Sequence, residues 1–364
     1  MTRTNLPLLH WTLLALLIVL SACSETKYNL RYEVEPGDAP VWPTPPDAPR
    51  YRYVGEITGE QNFVEIEGSK GWGTRFGEFL KWAVGLSSTS TENPEVLQRP
   101  QTGVVDENGR IYVTDVSRQA VFVFDEKQGT LSIWDRAMGD FGFKTPVGIA
   151  LGKDNTILVA DADLAIIVEL DQNGNPLRTI GDKVLNRPTG LARDPQSGQI
   201  FVADTRDHDI KVFNDAGELL DIIGNRGTNI GEFNAPTHLA YRGNKLYITD
   251  TLNARVQILT RSGDFLSKFG QRGIFMGDFV RPKGVTTDSD GNIYVIESFH
   301  DYLLVYNSEG RFLMPLGGTG SGVGQFYLPS GIWTDSKDRI YIADMFNGRI
   351  VILQYLRSEN AKQQ

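Results

Sequence analysis

Cysteine is nearly absent from this chain, with a single residue, Cys23, in 364. One thiol excludes a disulfide framework, a Cys-x-x-Cys redox pair and a cysteine-rich zinc site. Histidine is almost as scarce, at four residues, and no Gly-x-Ser-x-Gly elbow or His-Glu-x-x-His pair occurs. The usual nucleophile and metalloprotease machinery is therefore missing. Positive charge is also short, 36 Lys and Arg against 45 Asp and Glu for a net charge of −9, which argues against nucleic acid as the partner. Helical periodicity is missing along most of the chain, and the main apolar run, residues 13–20, is too short to span a bilayer.

What is abundant is turn chemistry, 38 glycines and 17 prolines beside 40% hydrophobic residues. Such a mixture suits a turn-rich all-β protein. It is organised into six copies of one unit, anchored at Pro100, Pro146, Pro188, Pro236, Pro282 and Pro329, at intervals of 46, 42, 48, 46 and 47 residues. A period of this size means a propeller or a solenoid. Each copy runs Pro-x-Gly or a variant, a strand, a polar turn, a strand ending in an acid, a short loop and a further strand. Short β-branched and aromatic runs bounded by turn dipeptides such as Asn108-Gly109 and Asp290-Gly291 choose antiparallel blades. The expected fold is an all-β, six-bladed β-propeller with four-stranded blades.

The last copy lacks a fourth strand, whereas Tyr51-Arg-Tyr-Val-Gly55 looks like one placed ahead of the first copy. Residues 51–57 are therefore expected to complete the last blade and close the ring, which abolishes exposed edges. Residues 58–98 form an insertion, in which 76–86 could make a short amphipathic helix, read as a lid on the ring because its polar face lacks Lys/Arg enrichment. The blades then occupy residues 99–356, and 357–364 are a polar tail.

Residues 1–22 have the layout of a secretory leader: Arg3, an apolar core, then small residues. The junction Leu20-Ser-Ala-Cys23 resembles the lipobox of bacterial lipoproteins. That resemblance implies cleavage before Cys23 and acylation there (palmitate among the chains), so a membrane is held through the lipid. Several acyl chains anchor stably where one does not. Ser24, a residue other than Asp after the cysteine, implies by the same resemblance the outer membrane of a Gram-negative bacterium, facing periplasm or surface. Residues 23–50 are expected to act as a stiff tether, since six prolines crowd residues 36–49.

The pattern Pro329-Ser-Gly331, Tyr341-Ile-Ala-Asp344, Asn347-Gly-Arg-Ile350 resembles the NHL repeat, and Asp250, Asn253, Arg255 and Val256 match it equally. The other four copies depart at the Asn and Arg positions, carrying Ala120, Ile166, Asp209 and Tyr302 in place of the Arg. The resemblance implies the six-bladed propeller. Since that family holds scaffolds, RNA-binding modules and lyases alike, it leaves activity open.

Strand parity puts Pro-x-Gly and the acid-ending loops on one face and both hairpins of every blade on the other. The first is the candidate binding face. Asp115, Asp161, Asp204, Asp250, Glu297 and Asp344 form a ring there. Such a ring could hold Ca²⁺, although an acid at a strand end more often caps backbone N–H groups. The inter-blade loops starting at Gly224, Gly270 and Gly317 lack the Lys-Ser/Thr pair of a phosphate loop, so Phe233, Phe279 and Phe326 are expected to wedge between blades. Phe299, Met345 and Phe346 place apolar groups in loops of this face and are the candidate partner-binding residues.

The functional expectation is a lipid-anchored scaffold binding another envelope protein or a ligand, with no cofactor required. The alternative is a metal-dependent propeller enzyme resembling NHL-type amidating lyases, with Zn²⁺ held by His208, His238 and His300 in consecutive copies. Zinc needs ligand nitrogens about 2.0–2.1 Å away, so those three side chains would have to converge.

Overall fold

A computed structural model describes residues 27–35, 37, 39–66 and 94–357. Within them, six antiparallel sheets are arranged as blades. The first is Pro100–Val105, Ile111–Asp115, Ala120–Asp125 and Thr130–Trp134, paired in that order. The second to fifth repeat this order, with inner strands Pro146–Leu151, Pro188–Arg193, Pro236–Arg242 and Pro282–Thr287. The sixth joins Ile332–Thr334, Arg339–Asp344 and Arg349–Tyr355 to Tyr51–Ile57. There Ile350 stands opposite Ile57, and Tyr355 opposite Tyr51. The N-terminal strand thus closes the ring as expected.

The middle strands of each blade read as unbroken apolar runs because both faces of each sheet are covered by neighbouring blades. Six hydrophobic clusters fill the six blade–blade interfaces, the sixth-to-first included, where Trp333, Tyr341 and Ile350 meet Ile111, Val113 and Phe122. Phe233, Phe279 and Phe326 are fully buried in three of them. Each lies against the glycine that opens its loop. A Cβ on Gly270, at φ +85°, would meet the Phe279 ring at 2.2 Å. The asparagine-rich turns follow their chemistry too, with Asp154 and Asn155 both at positive φ.

One expectation changes. The proline-rich segment does not stand off as a tether over its described part, because Val41–Trp42 adds a fifth strand to blade six and Tyr28–Leu30 pairs with Phe63–Glu65. Leu30 and Tyr32 are buried in the adjoining core, since apolar side chains interrupt the prolines and gain by covering the outer strand. The amphipathic stretch 76–86, Cys23 and the leader lie outside the described residues.

Candidate functional site

The acid ring sits where parity places it, and all six carboxylates are buried. Each staples the segment entering its own blade to the end of the second strand. Asp115 accepts from the backbone N–H of Gln98, Arg99, Ser117 and Arg118 at 2.7–3.0 Å. Glu297 accepts from Val280, Arg281 and Phe299. Local capping occupies these oxygens, and among the described residues no group of three or more His, Cys, Asp or Glu is arranged to hold a metal.

Blades four and six add the NHL side chains. Arg255 Nε donates to Asp250 at 2.8 Å, while its terminal nitrogens donate to the carbonyls of Thr228, Asn229 and Glu232 in the preceding inter-blade loop. Arg349 does the same for Asp344 and for the carbonyls of Gly322 and Gln325, and also pairs with Glu56 at 2.7 Å. Burial raises the Asp344 carboxyl above its ordinary range, against its hydrogen bonds from the Tyr327 N–H, Asn347 and Arg349. Blade three departs from the motif yet recovers the cation. Lys211 reaches Asp204, Asp207 and Asp209 at 3.1, 2.7 and 3.0 Å.

The three histidines are not gathered. His208 spends Nδ1 on the Ala235 N–H at 2.9 Å, and His300 stacks edge-on against Phe299. His238 takes the glycine position of its inner strand, with Nδ1 on the Thr237 hydroxyl and Nε2 enclosed without a partner. Burial pushes its pKa down to about 3, with the Lys283 ammonium adding to the effect, so the ring is neutral near pH 7.

Of the three proposed contact residues, Phe299 and Phe346 are exposed, but Met345 is not. It is buried against Gln101, whose amide lies 3.1 Å from its sulfur. The first residue after the acid turns back under the loop, a consequence of the single 3₁₀ turn over Met345–Asn347. Sequence reasoning missed Ile274, Phe275 and Met276, which are 81%, 78% and 50% exposed at the tip of the loop before blade five. A run of three apolar residues where the sister loops carry Thr228-Asn229-Ile230 and Ser321-Gly322-Val323 was the available signal.

The axis itself is conical. At the acid-loop end neighbouring inner strands nearly touch: a Cβ on Gly190 would lie 2.9 Å from His238, and one on Gly331 would lie 2.2 Å from the Gln101 carbonyl. That closeness is why this position favours glycine. Toward the hairpin face the strands spread around a cavity of about 750 Å³. Ile149, Leu191 and Ile332 help to form its apolar wall, and Glu107, Lys153 and Arg242 stand at the rim. The volume falls in the range of small-molecule sites.

With this geometry in view, the class is plain: the protein is a six-bladed β-propeller, and part of it matches the NHL repeat. A family model described as a 6-bladed β-propeller matches residues 285–357, and the NHL repeat matches 185–213. Human NHL-repeat-containing protein 4 is 34% identical over 77 residues, 21% of this chain, and the match spans 61% of that relative's length. A gluconolactonase of Xanthomonas campestris superposes with a TM-score of 0.56 at 15% identity, over 75% of this chain and 93% of its own. An auxiliary nutrient binding protein of Bacteroides ovatus does so at 0.55 and 16%, over 72% and 70%. At such identities the likeness shows the fold alone.

Proposed function

We propose that this protein is a lipid-anchored scaffold of the bacterial envelope, held through Cys23, whose acid-loop face docks another envelope protein. The observation that carries the reading is the exposed trio Ile274, Phe275 and Met276, on a loop whose glycines and Phe279 already satisfy its folding needs. Exposed aromatic and aliphatic anchors of this kind are what interfaces bury at their centres. Phe299, Tyr327 and Phe346 extend the apolar character over blades five and six, with Tyr327 and Phe346 in edge contact at 5.5 Å. The ring beneath is rigid by construction, since every blade is clamped by two neighbours.

Cross-linking in intact cells, comparing wild type with Phe275→Ser, tests the docking face. The partner adduct should be lost while folding stability stays within about 0.5 kcal/mol of wild type, as for surface substitutions generally. An unchanged adduct sinks the reading. Fractionation of Cys23→Ala tests the anchor separately, with release from membranes or accumulation of unprocessed chain as the expected result.

A further inference from the structure

At the narrow end of the axis, backbone stitching sets His238 and Lys283 on neighbouring inner strands, with Arg281 and Arg99 just ahead of the inner strands of blades five and one. The Thr249 hydroxyl is within hydrogen-bond reach of the carbonyls of both His238, at 3.1 Å, and Lys283, at 2.6 Å. Gly284 N–H donates to Ser330 O at 2.9 Å, and the Ser330 hydroxyl donates to Gln101 O at 2.7 Å. The first turns of the inner strands of blades four, five, six and one are thereby set side by side. Arg281 and Arg99, each immediately before the proline of its blade, are exposed at the rim. Arg99 lies over the Phe346 ring at 5.8 Å.

None of these three cations has a carboxylate partner among the described residues. The nearby acids, Glu297 and Asp115, already accept three and four backbone N–H groups. Lys283 is half-buried, and that partial burial, followed by the like charges of Arg281 and Arg99, lowers its pKa. Proteins seldom leave a desolvated ammonium unpaired, because the uncompensated charge costs stability. Next to it, His238 Nε2 is enclosed with no partner of its own. A half-buried cation without a counter-charge, beside two further cations, lacks an anion.

We propose that this mouth binds the oxyanion group of a small ligand, a carboxylate or a phosphate, on Lys283 between Arg281 and Arg99. The site is separate from the protein-docking reading and stands whether or not that reading does. It is also separate from the hairpin-face cavity, whose wall includes neither His238 nor Lys283. Charge-assisted hydrogen bonds would supply the affinity, and Phe346 an apolar wall.

The test uses the full-length chain in detergent, melted at constant ionic strength in chloride with increasing succinate in one arm and inorganic phosphate in the other. A saturable rise in melting temperature is expected in at least one arm, by the linkage of binding to folding, and the arm that responds names the oxyanion. Lys283→Met should weaken the apparent affinity by about tenfold or more, one lost charge-assisted contact. The same variant should melt no lower than wild type without anions, because it removes a partly desolvated charge with no counter-charge. Arg281→Gln should weaken binding less. Equal responses of wild type and Lys283→Met, or no response beyond chloride in either arm, overturn the proposal. So does a Lys283→Met variant that melts markedly lower unliganded, since the lysine would then be a structural element.

Discussion

Blades four and six differ from blades one, two and five in one buried side chain, and the difference runs through everything the acid-loop face presents. Arg255 and Arg349 tie the acid of their own blade to the carbonyls of the loop arriving from the blade before. In blades one, two and five the matching position holds Ala120, Ile166 and Tyr302, so Asp115, Asp161 and Glu297 are satisfied mainly by backbone N–H groups. The loop before blade five is then held differently. Asp278 accepts from Gln271 and the Phe275 N–H, and the Tyr306 hydroxyl donates to Gly277 O at 2.9 Å. That loop carries the exposed trio 274–276, and the unpaired Arg99 and Arg281 belong to blades one and five. The acid-to-backbone staple is thus the part of the repeat that folding requires in every blade. The arginine is a second layer, and in blade five, where it is missing, the entering loop carries the exposed trio.

Removing what both kinds of blade depend on should have the largest effect. A chain lacking residues 51–57 leaves Arg349–Tyr355 as an open edge and removes Tyr51, Tyr53 and Ile57, all buried in the cores beside blade six. Calorimetry should show loss of the cooperative transition, and an unchanged melt would mean that the ring closes by another route.

A smaller intervention separates the two kinds of blade. Arg255→Met strands the buried Asp250 and frees three loop carbonyls, for an expected loss of about 3–5 kcal/mol, the usual cost of breaking one side of a buried pair. Glu297→Gln in blade five keeps the shape and loses acceptor strength toward backbone donors, for about 1–3 kcal/mol. Denaturant melts giving equal losses would erase the distinction.

His238 provides the finest test, through pH. Its pKa is about 3 folded against 6.5 unfolded, so between those values the unfolded chain holds a proton that the native chain refuses. Stability contributed by this group is therefore full above pH 6.5 and falls as pH drops toward 3. At about pH 5 the loss is about 2 kcal/mol. His238→Gln should flatten that part of the profile of melting temperature against pH. A profile unchanged by the substitution would show that the imidazole is not buried neutral.

Repeat number, strand order, ring closure and the capping role of the acids were legible in the sequence because each rests on short-range rules. A Pro-x-Gly every forty-odd residues, a missing fourth strand matched by a spare one at the N-terminus, and an acid placed to meet N–H groups within its own blade are all local or periodic facts. The candidate site was legible only in part. Phe299 and Phe346 are exposed as their loop positions suggest, yet Met345, one residue from Phe346, is buried, because a 3₁₀ turn decides which side chain points inward. Nor does any spacing place Lys283 beside Arg99, 184 residues away along the chain, or narrow the axis at one end and open a cavity at the other. Those features depend on how closely six inner strands approach one another once the circle is closed, a distance set by glycine contacts between different blades. By itself the sequence determined a closed six-bladed ring with stapled loops. Which cations lack partners, which apolar residues face outward and which end of the axis is open were decided by tertiary packing, where charge and exposure are properties of neighbours rather than of residues.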